Sequence, residues 1–334
     1  MSSVAESVVN PIVVEEGLLR LQEPLGLHFG GALNDVQIAW RLAGSKDAPV
    51  VAVLGGISAG RRVYAASAAE QGWWKGMVGP GEALDANAFR VLGIDFLGGS
   101  GETTGPLAGQ TNFASISAYD QANIIVATMQ LLGIATLHAI VGASYGGMVA
   151  LSFAESYPSL VNRIVVISAA DRPHPMASAW RSVQRATVRA LAKHGAAADG
   201  LKLARALAMT TYRTTQEFKQ RFDGAPTRTA QGFRLPVEDY LEARGQAYVD
   251  NYIPEAFVCL SESIDLHRVD ATRIHTATTL VAVREDQLVP LGDMQDLYNQ
   301  LAGPKELVEL SSLYGHDAFL KEATVLKKVF AKAL

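Results

Sequence analysis

Between residues 137 and 157 the chain runs from a short apolar stretch, Leu137 to Val141, through Gly142-Ala143-Ser144-Tyr145-Gly146 into a helical pattern from Gly147 to Tyr157. No other feature narrows the fold as much. A G-x-S-x-G run between a strand and a helix reads as a nucleophile elbow, a turn so sharp that the serine hydroxyl stands above the edge of a sheet. Gly142 and Gly146 flank the turn where a Cβ would strike neighbouring backbone. The following helix aims free N–H groups and the positive end of its dipole at the reacting atoms. The bland alternative is a Gly-rich structural turn, and the flanking strand and helix weigh against it.

The rest of the chain supplies a sheet for such an elbow. Val36 to Leu42 alternates and predicts an antiparallel strand. Val50 to Leu54, Phe89 to Phe96 and Arg163 to Ile167 read as strands, the continuous apolar runs being those of strands covered on both faces. Ser117, with Asp120 three residues on, caps a helix that runs to Leu132 and ends at Gly133. From Pro173 to Arg273 the chain is rich in Ala and Arg and mostly helical, with no clear buried strand. The alternation resumes at Thr278 to Ala282 and Leu307 to Leu310. This predicts a mostly parallel α/β sheet flanked by helices, with residues 1–172 and 274–334 as its core. Residues 173–273 are expected to form a helical lid over the sheet's carboxyl edge.

An activated serine needs a base, and the base an orienting acid. On a sheet of this kind they follow in the order serine, acid, histidine, each after a late strand. His316 comes after the strand ending at Leu310, and no other histidine lies in a loop after a late strand. Asp286 is the candidate acid, with Glu285 and Asp171 as rivals. Two backbone N–H groups would hold an oxyanion, one from Tyr145 after the serine and one from Leu54 at the end of its strand.

Composition removes other classes. A net charge of -4 gives no electrostatic case for nucleic acid. Cys259 is the only cysteine, so no intrachain disulfide or thiolate metal cluster can form, and its apolar setting reads as packing. With no H-E-x-x-H, no metal is expected. Gly98-Gly99-Ser100-Gly101 lacks the Lys-Ser/Thr ending of a phosphate loop and reads as a turn. Met1 to Pro11 lacks the basic-then-apolar order of a signal peptide and no run reaches membrane length, so a cytoplasmic protein is expected.

The chain resembles the homoserine O-acyltransferases of methionine biosynthesis that use the α/β-hydrolase fold. The matching segments span most of the sequence: Gly72-Trp73-Trp74 with Val78-Gly79-Pro80-Gly81, Asp95 to Gly101 with Thr104-Gly105-Pro106, and Gly142 to Met148. Thr211-Tyr212-Arg213 with Arg221-Phe222, and Gly315-His316-Asp317-Ala318-Phe319-Leu320, complete the match. The resemblance implies Ser144, Asp286 and His316 as triad and Leu54 and Tyr145 as oxyanion donors. It also implies Arg213 on an amino acid's carboxylate and Asp317 on its ammonium; the Ala-rich faces of the insertion point to a homodimer through the lid. An acyl group would pass from an acyl-CoA to Ser144 and then to the hydroxyl of L-homoserine, in ping-pong order and with no bound cofactor. Gly55 to Arg62 and the Ala and Tyr flanking Ser144 depart from the acetyl-using pattern and resemble the succinyl-using branch. Succinyl-CoA is therefore the expected donor, with Arg61 or Arg62 as the cation for its free carboxylate. Acetyl-CoA as donor, serine as acceptor, a plain carboxylesterase and a non-catalytic relative are the competing readings.

Overall fold

A computed structural model describes residues 12–67, 70–230 and 232–334. The N-terminal segment read above for a targeting signal, residues 1–11, lies outside the described residues. Among the described residues eight strands form one sheet: β1 (Ile12–Arg20), β2 (Gln37–Ser45), β3 (Val50–Leu54), β4 (Arg90–Ile94), β5 (Ala139–Ala143), β6 (Arg163–Ile167), β7 (Ala277–Val283) and β8 (Lys305–Leu310). Their spatial order is β1-β2-β4-β3-β5-β6-β7-β8. β2 is antiparallel to both β1 and β4, and the pairs from β4 to β8 are parallel.

The apolar runs are continuous because the central strands are buried on both sides. Successive residues alternate between two cores. Ala52, Leu54, Ile140, Ile164, Val166 and Leu280 face one. Val51, Val53, Val141, Val165, Ile167 and Val281 face the other. The first core is closed by α1 (Ala118–Leu131) and α2 (Tyr145–Ser156). The second is closed by the segment around Trp74 and by the C-terminal helix Ala323–Ala333. Each fully buried Val, Leu or Ile contributes about 1.5–3 kcal/mol, so sheet register is set by this two-sided burial.

Local signals match at several points. Ser117 caps α1 in a reciprocal box with Asp120, and Gly133 follows in the left-handed region at φ 65°. Two expectations are displaced. Leu137, read as the start of a strand, makes only an isolated bridge to Val161 ahead of β5. β1 went unread: it is an edge strand with mixed exposure, so it lacks an apolar stripe.

Between β6 and β7 the described residues form five α-helices: α3 (Pro175–Ala192), α4 (Ala197–Tyr212), α5 (Thr215–Phe222), α6 (Pro236–Val249) and α7 (Pro254–Asp265). An exposed hairpin, Thr227–Thr229 with Gly232–Arg234, interrupts them. The insertion is tied to the sheet by specific bonds. Tyr252 donates to the Ile57 carbonyl at 2.9 Å, and Ser58 donates to the Tyr248 hydroxyl at 3.1 Å. The Ile253 N–H donates to Ser100 Oγ at 3.0 Å, so the Gly98–Gly101 turn seats the start of α7. Among the described residues no helix is long and apolar enough to cross a membrane, and none of the acidic, histidine and cysteine clusters could hold a metal ion.

Two of the distinctive sequence segments meet in space. Trp74 is buried against Phe319 and Phe330, and its indole N–H donates to the Phe319 carbonyl at 2.7 Å. That bond fixes the short 3-10 helix Gly315–Leu320. Trp74→Phe removes the donor and strands a buried carbonyl, so a loss of about 1–3 kcal/mol is expected, read as a lower urea midpoint at unchanged m-value.

Candidate active site

Ser144 lies between β5 and α2 with φ 55° and ψ -121°, outside the regions an L-residue ordinarily occupies. Close packing holds it there. A Cβ on Gly142 would lie 2.2 Å from the Gly146 carbonyl oxygen, and one on Gly146 would lie 2.3 Å from that of Leu54. The Gly146 N–H also donates to the Gly55 carbonyl at 2.8 Å, drawing the start of α2 onto the end of β3. The strain is confined to a point where the neighbours over-determine the backbone. Ser144 is left partly exposed among buried residues.

His316 Nε2 is 2.9 Å from Ser144 Oγ, and His316 Nδ1 is 2.7 Å from Asp286 Oδ2. The other oxygen of Asp286 accepts from the N–H groups of Leu288 at 2.8 Å and Val289 at 3.0 Å. The carboxylate is thereby aimed at the imidazole. It accepts the hydrogen bond of Nδ1–H and so leaves Nε2 to accept from the serine hydroxyl. Of the rival acids, Glu285 turns away to Ser311 and to the Ser312 N–H at 2.8 Å. Asp171 is buried after β6, with Arg172 at 3.9 Å as its charge partner. Burial pushes the Cys259 thiol up to about 12, which keeps it protonated and inert.

Leu54 closes β3 opposite Gly142, and Tyr145 opens α2. Both side chains are buried, so what these residues offer the serine is main chain, and the first N–H of a helix is not used by the helix itself. The Tyr145 hydroxyl is 2.6 Å from Ser263 Oγ on α7 and accepts from Gln121 at 3.2 Å, a second tie between the elbow and the insertion.

The serine opens into a cavity of about 210 Å³. Its walls come from the turn Gly56–Ala59, Trp73, the elbow, Asp317 and the insertion. Asp317 forms an ion pair with Arg213, Nε to Oδ2 at 2.9 Å; the N–H does not point along that line, so the contact is one of charge. Arg213 also reaches Glu217 at 3.3 Å. The two expected substrate contacts are thus brought together, with Asp317 at the wall and Arg213 behind it.

Arg61 and Arg62 are not brought to the cavity. After Gly60 the chain crosses Gly93 of β4 at close range and turns away. The Arg61 guanidinium is held by Asp95 at 2.5 Å and by Glu102, and its main-chain N–H donates to Asp95 at 2.7 Å. Arg62 is exposed, 3.7 Å from Glu16. The cations that line the cavity are Arg181 on α3 and Arg205 on α4, neither singled out from sequence. Arg205 stands four residues after buried Leu201 and three before buried Ala208, a spacing that puts it on the inward face of its helix. Ser168 was also missed. It is buried at the cavity wall, at φ 51°, with a hydroxyl that has no partner among the described residues.

A hydroxyl, an imidazole and a carboxylate in series at the carboxyl edge of a parallel sheet are the equipment of acyl transfer. A family model described as the alpha/beta hydrolase fold matches residues 49–323. The chain is 43% identical over 302 residues to a homoserine O-succinyltransferase of Xanthomonas campestris pv. campestris, covering 90% of this chain and 79% of that one. It is 31% identical to a serine O-succinyltransferase of Litchfieldella anticariensis, over 95% of this chain and 97% of the other. Among solved structures, a homoserine O-acetyltransferase from Bacillus anthracis superposes with TM-score 0.84 over 96% of this chain and 97% of its own, at 20% identity, a likeness of fold. The chain belongs to the alpha/beta hydrolase family, in its homoserine O-acyltransferase branch, and is an O-acyltransferase.

The His316 imidazolium is subject to opposing effects. Burial alone would lower its pKa; the charge and hydrogen bond of Asp286, and then the charge of Asp317, outweigh burial and raise it above the ordinary histidine value. Folding therefore favours the protonated ring. That stabilisation is fully present below the unfolded pKa and is lost as pH rises through the folded one. A base must be neutral to act, so acylation by a nitrophenyl ester is expected to lose rate on the acid side with an inflection above the ordinary histidine value. Asp286→Asn should move that inflection down and lower the plateau by about 10⁴-fold; an unmoved inflection would assign the titration to another group.

Proposed function

We propose that the protein moves a succinyl group from succinyl-CoA to the hydroxyl of L-homoserine through an acyl-serine, the observation that carries this being the hydrogen-bonded series Ser144–His316–Asp286 at the cavity floor. Ser144 Oγ attacks the thioester carbonyl while His316 Nε2 takes its proton. The Leu54 and Tyr145 N–H groups hold the oxyanion, each contributing about 3 kcal/mol. The C–S bond breaks, the coenzyme leaves as its thiol with the proton returned by His316, and the acyl group stays on Ser144. The acceptor hydroxyl then gives its proton to His316 and attacks the acyl-serine, and the ester leaves as Ser144 regains its proton.

The ion pair of Arg213 and Asp317 supports an amino acid as acceptor. A zwitterion placed between them replaces one opposite-charge contact by two, carboxylate to guanidinium and ammonium to Asp317. Homoserine and serine differ by one methylene, worth about 1–3 kcal/mol in a fitted pocket. Residues 173–273 act in this reading as a lid domain that keeps water from the acyl-serine, without which the same groups hydrolyse it. Exposed Met176, Val183 and Leu203 on that segment support a homodimer joined through it. The succinyl donor is supported by the activities for which the two relatives are named and by two guanidinium groups at the cavity wall, for which an acetyl group has no use.

Thiol release in the presence of acceptor tests the whole. Succinyl-CoA with homoserine is expected to turn over at least about 10-fold faster than acetyl-CoA with homoserine or succinyl-CoA with serine. Ser144→Ala should abolish release, while succinyl-CoA alone should give a burst of one thiol per site. Faster turnover with acetyl-CoA would overturn the donor, and rapid steady release without acceptor would make the protein an esterase.

A further inference from the structure

The charges around the cavity balance unevenly. On the His316 side Asp317 and Glu217 are matched by Arg213 and Arg221. On the insertion side Asp265 answers both Arg181, at 2.6 Å, and Arg185, at 2.5 Å. Arg181 also donates to Asp265 through Nε at 2.8 Å, so that guanidinium is committed along one edge. Arg205 differs. It is half-buried at the cavity wall, and among the described residues no carboxylate stands within ion-pair distance of it. Its guanidinium carbon lies 4.7 Å from the ring centre of Tyr248 and 5.3 Å from that of Tyr212.

Aromatic faces steady a guanidinium without using its N–H donors, which point outward in its own plane. The rings are themselves anchored. Tyr248 stacks on Tyr252 at 4.9 Å and accepts from Ser58, while Tyr212 lies 5.8 Å from the His316 ring. Arg205 is thus a steadied cation whose donors have no partner among the described residues, facing the space in which Ser144 carries its acyl group. A cation held this way is completed by an anion from solution, and a planar carboxylate fits its fork.

We propose that Arg205 is the specificity-determining residue for the acyl donor, receiving the free carboxylate of a dicarboxylic acyl group as it is loaded onto Ser144. This rests on the succinyl reading and assigns it a residue, in place of Arg61 and Arg62. Arg213 is left to the acceptor, so donor and acceptor carboxylates are read by different arginines.

The test is single-turnover thiol release from succinyl-CoA and from acetyl-CoA by the full chain, with the homoserine KM measured in parallel. Arg205→Gln is expected to lower the succinyl rate constant per KM by about 10- to 100-fold while acetyl use stays within about 3-fold and the homoserine KM within about 3-fold. Arg205→Lys should restore part of the loss, because charge returns without the fork. The acetyl reaction doubles as a check on folding. An equal fall with both donors would make Arg205 a contact for the coenzyme or a structural residue, and would overturn the proposal. So would a raised homoserine KM with unchanged donor preference, or loss of preference in Arg181→Gln instead. A wild-type protein that ignores succinyl-CoA overturns both this proposal and the reading beneath it; one that uses succinyl-CoA, with Arg205→Gln unaltered, overturns this proposal alone.

Discussion

The contact on which this molecule depends is the main-chain approach of α2 to the end of β3. Gly146 sits so near the Leu54 carbonyl that only a hydrogen fits in place of a side chain, and its N–H is bonded to the Gly55 carbonyl. This closeness forces the turn at Ser144 into a conformation that serine would not choose. The energy of that distortion, of the order of 1–3 kcal/mol, is offset by the two-sided burial of β3, β5 and β6. Strand order then does the rest. β7 and β8 follow β6 across the sheet, so the loops that leave them deliver Asp286 and His316 to the side of the elbow.

Electrostatics at the site depend on the same frame. Asp286 is pinned by two backbone N–H groups from its own loop, which leaves one oxygen for His316. The 3-10 helix carrying His316 is held from behind by Trp74 through the Phe319 carbonyl. Thr214 holds the approach to it by donating to the Leu313 carbonyl at 2.6 Å. The imidazole is thus positioned by residues from three distant parts of the chain, none of which touches the serine.

The sheet, the helical insertion and the three side chains that meet at the elbow were legible because each has a local signature. Continuous apolar runs mark doubly covered strands, Ser117 with Asp120 marks a helix start, and Gly142 to Gly146 marks the elbow. What failed was whatever depends on where a loop goes next. Arg61 and Arg62 are close in sequence to the end of β3, but the chain crosses β4 before reaching them, and Asp95 and Glu102 capture the first. The strand at Ile12–Arg20 escaped because an edge strand need not alternate. Arg181 and Arg205 were hidden for another reason. Within an Arg-rich helical region a cation on the inward face looks like its solvated neighbours until the neighbouring helices are in place.

The bonds from Tyr248 and Tyr252 to Ser58 and Ile57 join the far end of the insertion to the turn that directly follows β3. That turn and the elbow share the Gly55–Gly146 link. Outward travel of α6 and α7 would therefore pull on the peptide segment beside Ser144. Entry of bulk water beneath the insertion and displacement of the main chain beside Ser144 would be a single mechanical event.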